Sequence, residues 1–302
     1  MAHDHAHGAS DRSRLLVVIG IVAVVLVAEV LGGLLSGSLA LLADAGHMLS
    51  DLTGLIVALV AAVVAARPAT DRQTYGYRRA EVFGALINAL ILIGVAIGVT
   101  LEAIPRLASS GDVAVQSTTM LLVGLLGLAA NIAAMLVLRG GDRTSLNLRG
   151  AALEVFGDLV GSLAVIVAAL VIAVTGFLPA DAIASLLIAA MIIPRAVVLL
   201  RDVVRVLSQS VPPETSVAEI RRHILGTEGV VDVHDVHVWA ITSGAHVFSA
   251  HVVVESRALA GEQAGCLLDE LSECLSQHFD VEHSTFQLEP AEHAAHEHPH
   301  HA

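Results

Sequence analysis

Six runs of apolar residues, each long enough to cross a bilayer, constrain this chain more than any other feature of its sequence. They cover residues 15–35, 39–66, 80–107, 117–138, 147–175 and 178–207. At ~1.5 Å per helical residue, about 20 residues cross the ~30 Å of hydrocarbon in a membrane. Backbone polar groups find no water there, so runs of this kind predict helices that satisfy their own hydrogen bonds. Breakers mark the joints: Ser36-Gly37-Ser38, Arg67-Pro68, Ser109-Ser110-Gly111, Gly140-Gly141 and the stretch 176–179. The second, third, fifth and sixth runs exceed the minimum, which predicts tilt or protruding ends. The first is too long for a secretory leader, carries Glu29 and precedes further spans, so it is expected to remain as a helix.

Arginine sets the expected orientation. One side of the membrane collects Arg12, Arg14, Arg67, Arg72, Arg78, Arg79, Arg139, Arg143, Arg149, Arg201 and Arg205, whereas the opposite loops offer only Arg106. Positive loops stay inside, so both termini are expected in the cytoplasm of a multi-pass membrane protein. The formal charge of −13 comes largely from the C-terminal third, and no basic block exists that would suit a nucleic acid.

After Pro212-Pro213 the pattern changes. Residues 217–225 read as a helix, 230–239 and 245–255 as strands, 262–278 as an amphipathic helix and 281–289 as a last strand. That order suits a small α+β domain with helices packed on one face of a sheet. The expected organisation is an N-terminal tail over 1–14, a six-helix membrane domain over 15–208, an α+β domain over 209–290 and a tail over 291–302. The tails carry His3, His5, His7, His293, His296, His298, His300 and His301 and are expected to be unstructured, with metal capture at the cytosolic mouth as one role. Cys266 and Cys274, eight apart in a predicted helix, imply neither a disulfide framework nor a zinc-finger pattern; they are expected to be reduced, packed inside the domain or idle.

The sharpest chemical signal is ionisable residues inside the spans. A charge at the bilayer centre costs at least ~2.5–3.5 kcal/mol, so such groups ordinarily face a protein interior or a pathway. His47 and Asp51 lie four apart in the second span, and Glu154 and Asp158 lie four apart in the fifth. At 3.6 residues per turn each pair shares one helix face. Either pair alone could be a structural contact between helices. Two matched pairs, facing one another, form a cage of one imidazole and three carboxylates suited to a divalent ion. Other polar groups carry weaker signals. Asp44 could guide ions or hydrogen-bond a neighbouring helix, and Asn131 reads as an interhelical hydrogen bond. Glu29 and Asn88 read as packing around the site. Glu102 is expected near the outer interface, and Arg195, after Pro194, to snorkel to the cytosolic face.

These residues resemble those of the cation diffusion facilitator family. The stretch from Ala28-Glu29 to Asp51, with Ser38-Leu39-Ala40-Leu41-Leu42-Ala43-Asp44-Ala45-Gly46-His47, is similar to the family's first two helices. Thr74-Tyr75-Gly76-Tyr77-Arg78-Arg79-Ala80-Glu81 is similar to its lead-in to the third. His234-Asp235-Val236-His237-Val238-Trp239 and Thr285-Phe286-Gln287-Leu288-Glu289 are similar to its cytoplasmic domain. The resemblance covers nearly the whole chain between the tails. It implies a homodimer in the bacterial cytoplasmic membrane, a ferredoxin-like cytoplasmic domain and proton-coupled antiport of divalent metal. It also implies a transport site of His47, Asp51, Glu154 and Asp158, and a cytoplasmic site of His234, His251 and Glu289, with His237, His246 and His283 near in sequence. Many zinc members carry His where this chain has Glu154, and Glu there resembles the cobalt–zinc–cadmium resistance branch. A harder, oxygen-richer cage should discriminate less sharply among zinc, cobalt and cadmium. Zinc or a similar cation is thus expected as substrate, and no prosthetic group is implied.

Metal binding requires neutral imidazole and ionised carboxylates, so binding expels protons and protonation expels metal. Imidazole titrates near neutral pH, which makes His47 the expected proton carrier. Two other classes fit the sequence less well. An intramembrane metalloenzyme would need a spare general base, and the spans contain no H-E-x-x-H pattern. A metal sensor or chaperone anchored by its helices would have no use for the intramembrane carboxylates.

Overall fold

The computed structural model describes residues 4–65, 67–108, 114–139, 146–242, 244–260, 263–279 and 281–294. The apolar runs form α1 (Asp4–Ser36), α2 (Leu39–Ala65), α3 (Ala80–Ala108), α4 (Ser117–Arg139), α5 (Leu146–Thr175) and α6 (Pro179–Leu207). Each carries a stretch long and apolar enough to cross a membrane. Their ends fall within two residues of the expected ones except at the start of α1. There the helix begins at Asp4, so His5 and His7 lie on helical backbone where an unstructured tail was expected. No proline interrupts this stretch, and extending an existing helix costs far less than nucleating one. His3, and the C-terminal histidines beyond His293, lie outside the described residues.

The chain divides into two compact units, Met1–Val60 with Gly84–Leu200 and Ala61–Phe83 with Arg201–Ala302. In the first, Leu41, Met48, Leu92, Met120 and Ile192 are fully buried between helices. Val24, Leu35, Leu59, Leu101 and Val174 point outward in the open. So much exposed aliphatic surface would be a liability in water, and it suits a lipid environment.

The start of α2 is held by a side chain from another helix. Asp181, buried in the first turn of α6, accepts hydrogen bonds from Ser38 Oγ (2.6 Å) and from the backbone N–H groups of Leu39 (2.7 Å) and Ala40 (3.1 Å). These amides have no partner within their own helix, and a carboxylate there also suits the helix dipole. Arg106 of α3 completes the clamp, donating to Gly37 O at 2.9 Å with Asp181 Oδ2 at 3.6 Å. Arg106 also holds Glu102, one turn back at 3.1 Å. Fixing Leu39 fixes the depth of His47, about 12 Å further along the helix.

Two polar contacts and one glycine set helix spacing nearer the ionisable pairs. Ser50 donates to Asn88 Oδ1 (2.7 Å) between α2 and α3, and Asn131 donates to Ser162 Oγ (3.4 Å) between α4 and α5. Gly161 of α5 lets α2 approach: a Cβ there would stand 2.3 Å from Asp44 Oδ1.

The second unit contains α7 (Val217–Leu225), β1 (Val230–Thr242), β2 (Ala245–Val254), α8 (Gln263–Phe279), β3 (Val281–Pro290) and α9 (Ala291–Ala294). The sheet runs β1-β2-β3, with β1 and β2 antiparallel and β2 and β3 parallel. A parallel pair needs a crossover, and α8 supplies it. Ile220, Ile224, Phe248, Leu271 and Leu275 form the core between sheet and helices. The fold is the α+β arrangement expected from the sequence. Cys266, by contrast, is exposed rather than packed, because it falls on the outer face of α8, while Cys274 is half-buried. Burial, reinforced by the Glu270 carboxylate, pushes the Cys274 thiol above its ordinary value.

Candidate metal centres

The two intramembrane pairs meet, but not as a symmetric four. His47 Nε2 lies 3.7 Å from Asp51 Oδ2 on its own helix and 3.8 Å from Asp158 Oδ1 on α5. One ligand atom from each of these three residues falls within 4.8 Å of the others. Two donors each ~2.1 Å from a tetrahedral zinc ion stand about 3.4 Å apart. The two histidine–aspartate distances therefore exceed that spacing by only a few tenths of an ångström. His47 Nδ1 and Asp158 Oδ1 are buried without a hydrogen-bond partner among the described residues. Buried polar atoms are ordinarily satisfied, so this site is incomplete as a purely structural contact.

Glu154 stands apart from the trio. Its Oε1 is 2.8 Å from Arg195 Nη2, and the same guanidinium reaches Asp51 Oδ1 at 3.1 Å and Asp51 Oδ2 at 3.3 Å. Arg195 thus pairs with two carboxylates of the site, a contact the sequence did not announce. The site is graded in burial: the side chains of Asp158, Asp51 and His47 are 5, 9 and 14% exposed, whereas those of Arg195 and Glu154 are 40 and 41%. A cavity of about 150 Å³ adjoins it, lined by Asp44, His47, Gly157, Gly161, Ile188, Met191, Ile192 and Arg195. That volume is enough to hold water.

Arg195 and Asp181 are the residues the sequence reading missed. A signal for the first was present. Residues 188, 191, 192 and 195 recur at helical spacing, so a face of α6 that ends in arginine points the same way as the cavity wall. Three intramembrane carboxylates with only one imidazole also call for a further positive group.

The second centre is built by sheet register. His234 pairs with His251 across β1 and β2, and His251 with Gln287 across β2 and β3. Glu289, two residues beyond Gln287, emerges on the same face. Phe248, Ala250, Val252 and Val254 alternate with His251 and fill the core behind it. Glu289 is 2% exposed, 3.3 Å from His234 Nε2 and 2.8 Å from His251 Nδ1, and it accepts from Gln287 Nε2 at 2.6 Å. The three expected ligands are thus brought together. Of the neighbouring histidines, His246 lies 3.6 Å from Glu214 and His283 packs edge-on to Tyr75, 6.0 Å between ring centroids; neither they nor His237 belong to a three-ligand group among the described residues.

Six helices long and apolar enough to cross a bilayer define an integral membrane protein, and a group of potential metal ligands gathers among them. Residues 15–208 match the cation efflux transmembrane domain, and residues 212–291 match the cation efflux protein cytoplasmic domain. The chain belongs to the cation efflux family. It is 41% identical to the metal cation efflux system protein CzcD of Cupriavidus metallidurans over 96% of this chain and 90% of that one. It is 37% identical to a cadmium, cobalt and zinc/H(+)-K(+) antiporter of Bacillus subtilis, over 97% and 93% of the two chains. It is 39% identical to the zinc transporter ZitB of Escherichia coli, over 96% and 93%.

Proposed function

We propose that this protein is a proton-coupled antiporter that exports zinc, and with it cobalt and cadmium, from the bacterial cytoplasm. The observation that carries the reading is the buried trio of His47, Asp51 and Asp158, spaced for a divalent ion and left with unpartnered atoms. Glu154 joins them as the fourth ligand when metal arrives. The names of the relatives, which include cadmium, cobalt, zinc and protons, support both the substrate class and the coupling. Loading the site requires carboxylates free of protons, so protons entering from outside unload it. The arginine-rich loops support an orientation with both termini in the cytoplasm.

The second centre, His234, His251 and Glu289, would hold metal in the cytoplasmic domain, which supports assembly as a homodimer. Zinc flux into inside-out proteoliposomes across an imposed pH gradient tests the main reading. Wild type should accumulate zinc only when the lumen is acidic, and Asp158→Asn should fall to the protein-free background. Zinc accumulation indifferent to the gradient, or intact in Asp158→Asn, would refute it.

A further inference from the structure

We propose that Arg195 is a tethered counter-cation that occupies the transport site when metal is absent and must be displaced for metal to load. The proposal deepens the transport reading above and rests on it. Its first support is competition for one atom. Asp51 Oδ2, the oxygen that faces His47 Nε2 at 3.7 Å, is the same oxygen that accepts from Arg195 Nη1 at 3.3 Å. A metal ion bound between His47 and Asp51 would share that oxygen with a guanidinium whose positive charge repels it.

The second support is the position of Glu154. Arg195 holds its Oε1 at 2.8 Å, outside the group formed by His47, Asp51 and Asp158. The fourth ligand is therefore withheld by the same side chain that blocks part of the second. Release of Arg195 frees two carboxylates in one step, so the cage completes only as the ion arrives.

Charge supplies the third. With imidazole neutral, three clustered carboxylates carry three negative charges, which repel strongly in a weakly polarisable interior. A guanidinium keeps its charge under all ordinary conditions and bridges two carboxylates with its planar fork. Its charge offsets theirs at the site. Arg195 also lines the cavity of about 150 Å³ beside His47, which gives the displaced side chain somewhere to go.

A competing tethered cation weakens metal binding and speeds metal release. Loss of a charge-assisted interaction of this kind shifts an equilibrium by about tenfold or more. In full-length protein reconstituted in proteoliposomes, with zinc alone as the probe, Arg195→Gln should lower the KM for zinc about tenfold while also lowering kcat. Damage to packing alone would not tighten KM. Arg195→Lys keeps the charge but loses the fork, so it should shift KM in the same direction by less, and it serves if the glutamine variant does not insert. A KM at or above the wild-type value in the variants that insert would overturn the proposal. Asp158→Asn, measured alongside, separates the two failures. If it transports normally, the site itself is misassigned and the proposal falls with it. If it is inactive while KM is unmoved at position 195, only the role of the arginine is lost.

Discussion

The two candidate metal centres of this chain use similar donors in opposite settings. In the membrane, one histidine stands 3.7 and 3.8 Å from two aspartates, beside a cavity and an arginine. In the C-terminal domain, two histidines close on one buried glutamate at 2.8 and 3.3 Å, and a glutamine donates to the same carboxylate. Sheet register holds the second set on three neighbouring strands, at closer spacing than the first. The first set rests on helices held at a distance from it, by the Asp181 clamp and by Gly161, and it stands more open. A transport site must bind and let go. Under the proposed reading, the set on the helices is the one that opens and closes, and the set on the sheet is the one that holds.

The widest separation between the centres should come from paired substitutions. Asp51→Asn is expected to abolish zinc flux. Glu289→Ala is expected to leave flux at saturating zinc within about twofold while weakening zinc binding by the full-length protein about 10–100-fold at that centre, as loss of a metal-site partner ordinarily does. Equal loss of flux in both would merge the two sites into one function. Next in size is a glycine comparison. Gly161→Ala drives a methyl group into Asp44 and should cost about 1–3 kcal/mol of stability, with a matching fall in flux. Gly265→Ala in α8 meets nothing within 4 Å and should be neutral or stabilise by up to ~1 kcal/mol. Melting temperatures in detergent check both. The smallest effect lies in the thiols. Alkylation near neutral pH should label exposed Cys266 before Cys274, whose raised pKa keeps it protonated; labelling of Cys274 should quicken as pH rises through that value.

Most of the helices could be read from hydropathy because length and apolar content are local properties of the chain. The ligand pairs were readable for the same reason: spacing four puts His47 with Asp51, and Glu154 with Asp158, before any packing is known. The strand positions of His234, His251 and Glu289 needed the family resemblance, since alternation alone does not reveal which strands pair. What could not be read was contact across distant positions. Arg195 meets Asp51 and Glu154, 144 and 41 residues away, and has no acidic partner within its own turn of helix to announce it. Asp181 likewise caps a helix that begins more than a hundred residues earlier. His5 and His7 fall on helical backbone because no helix stop separates them from the first span, which polar composition alone does not reveal.

Anomalous scattering at the zinc edge, from crystals of the full-length protein grown with zinc, addresses the transport site most directly. A peak about 2.0–2.2 Å from His47, Asp51 and Asp158, with the Glu154 carboxylate turned in and Arg195 withdrawn, is the expected result. Zinc bound only in the C-terminal domain, with the guanidinium of Arg195 still bridging Asp51 and Glu154, would contradict it.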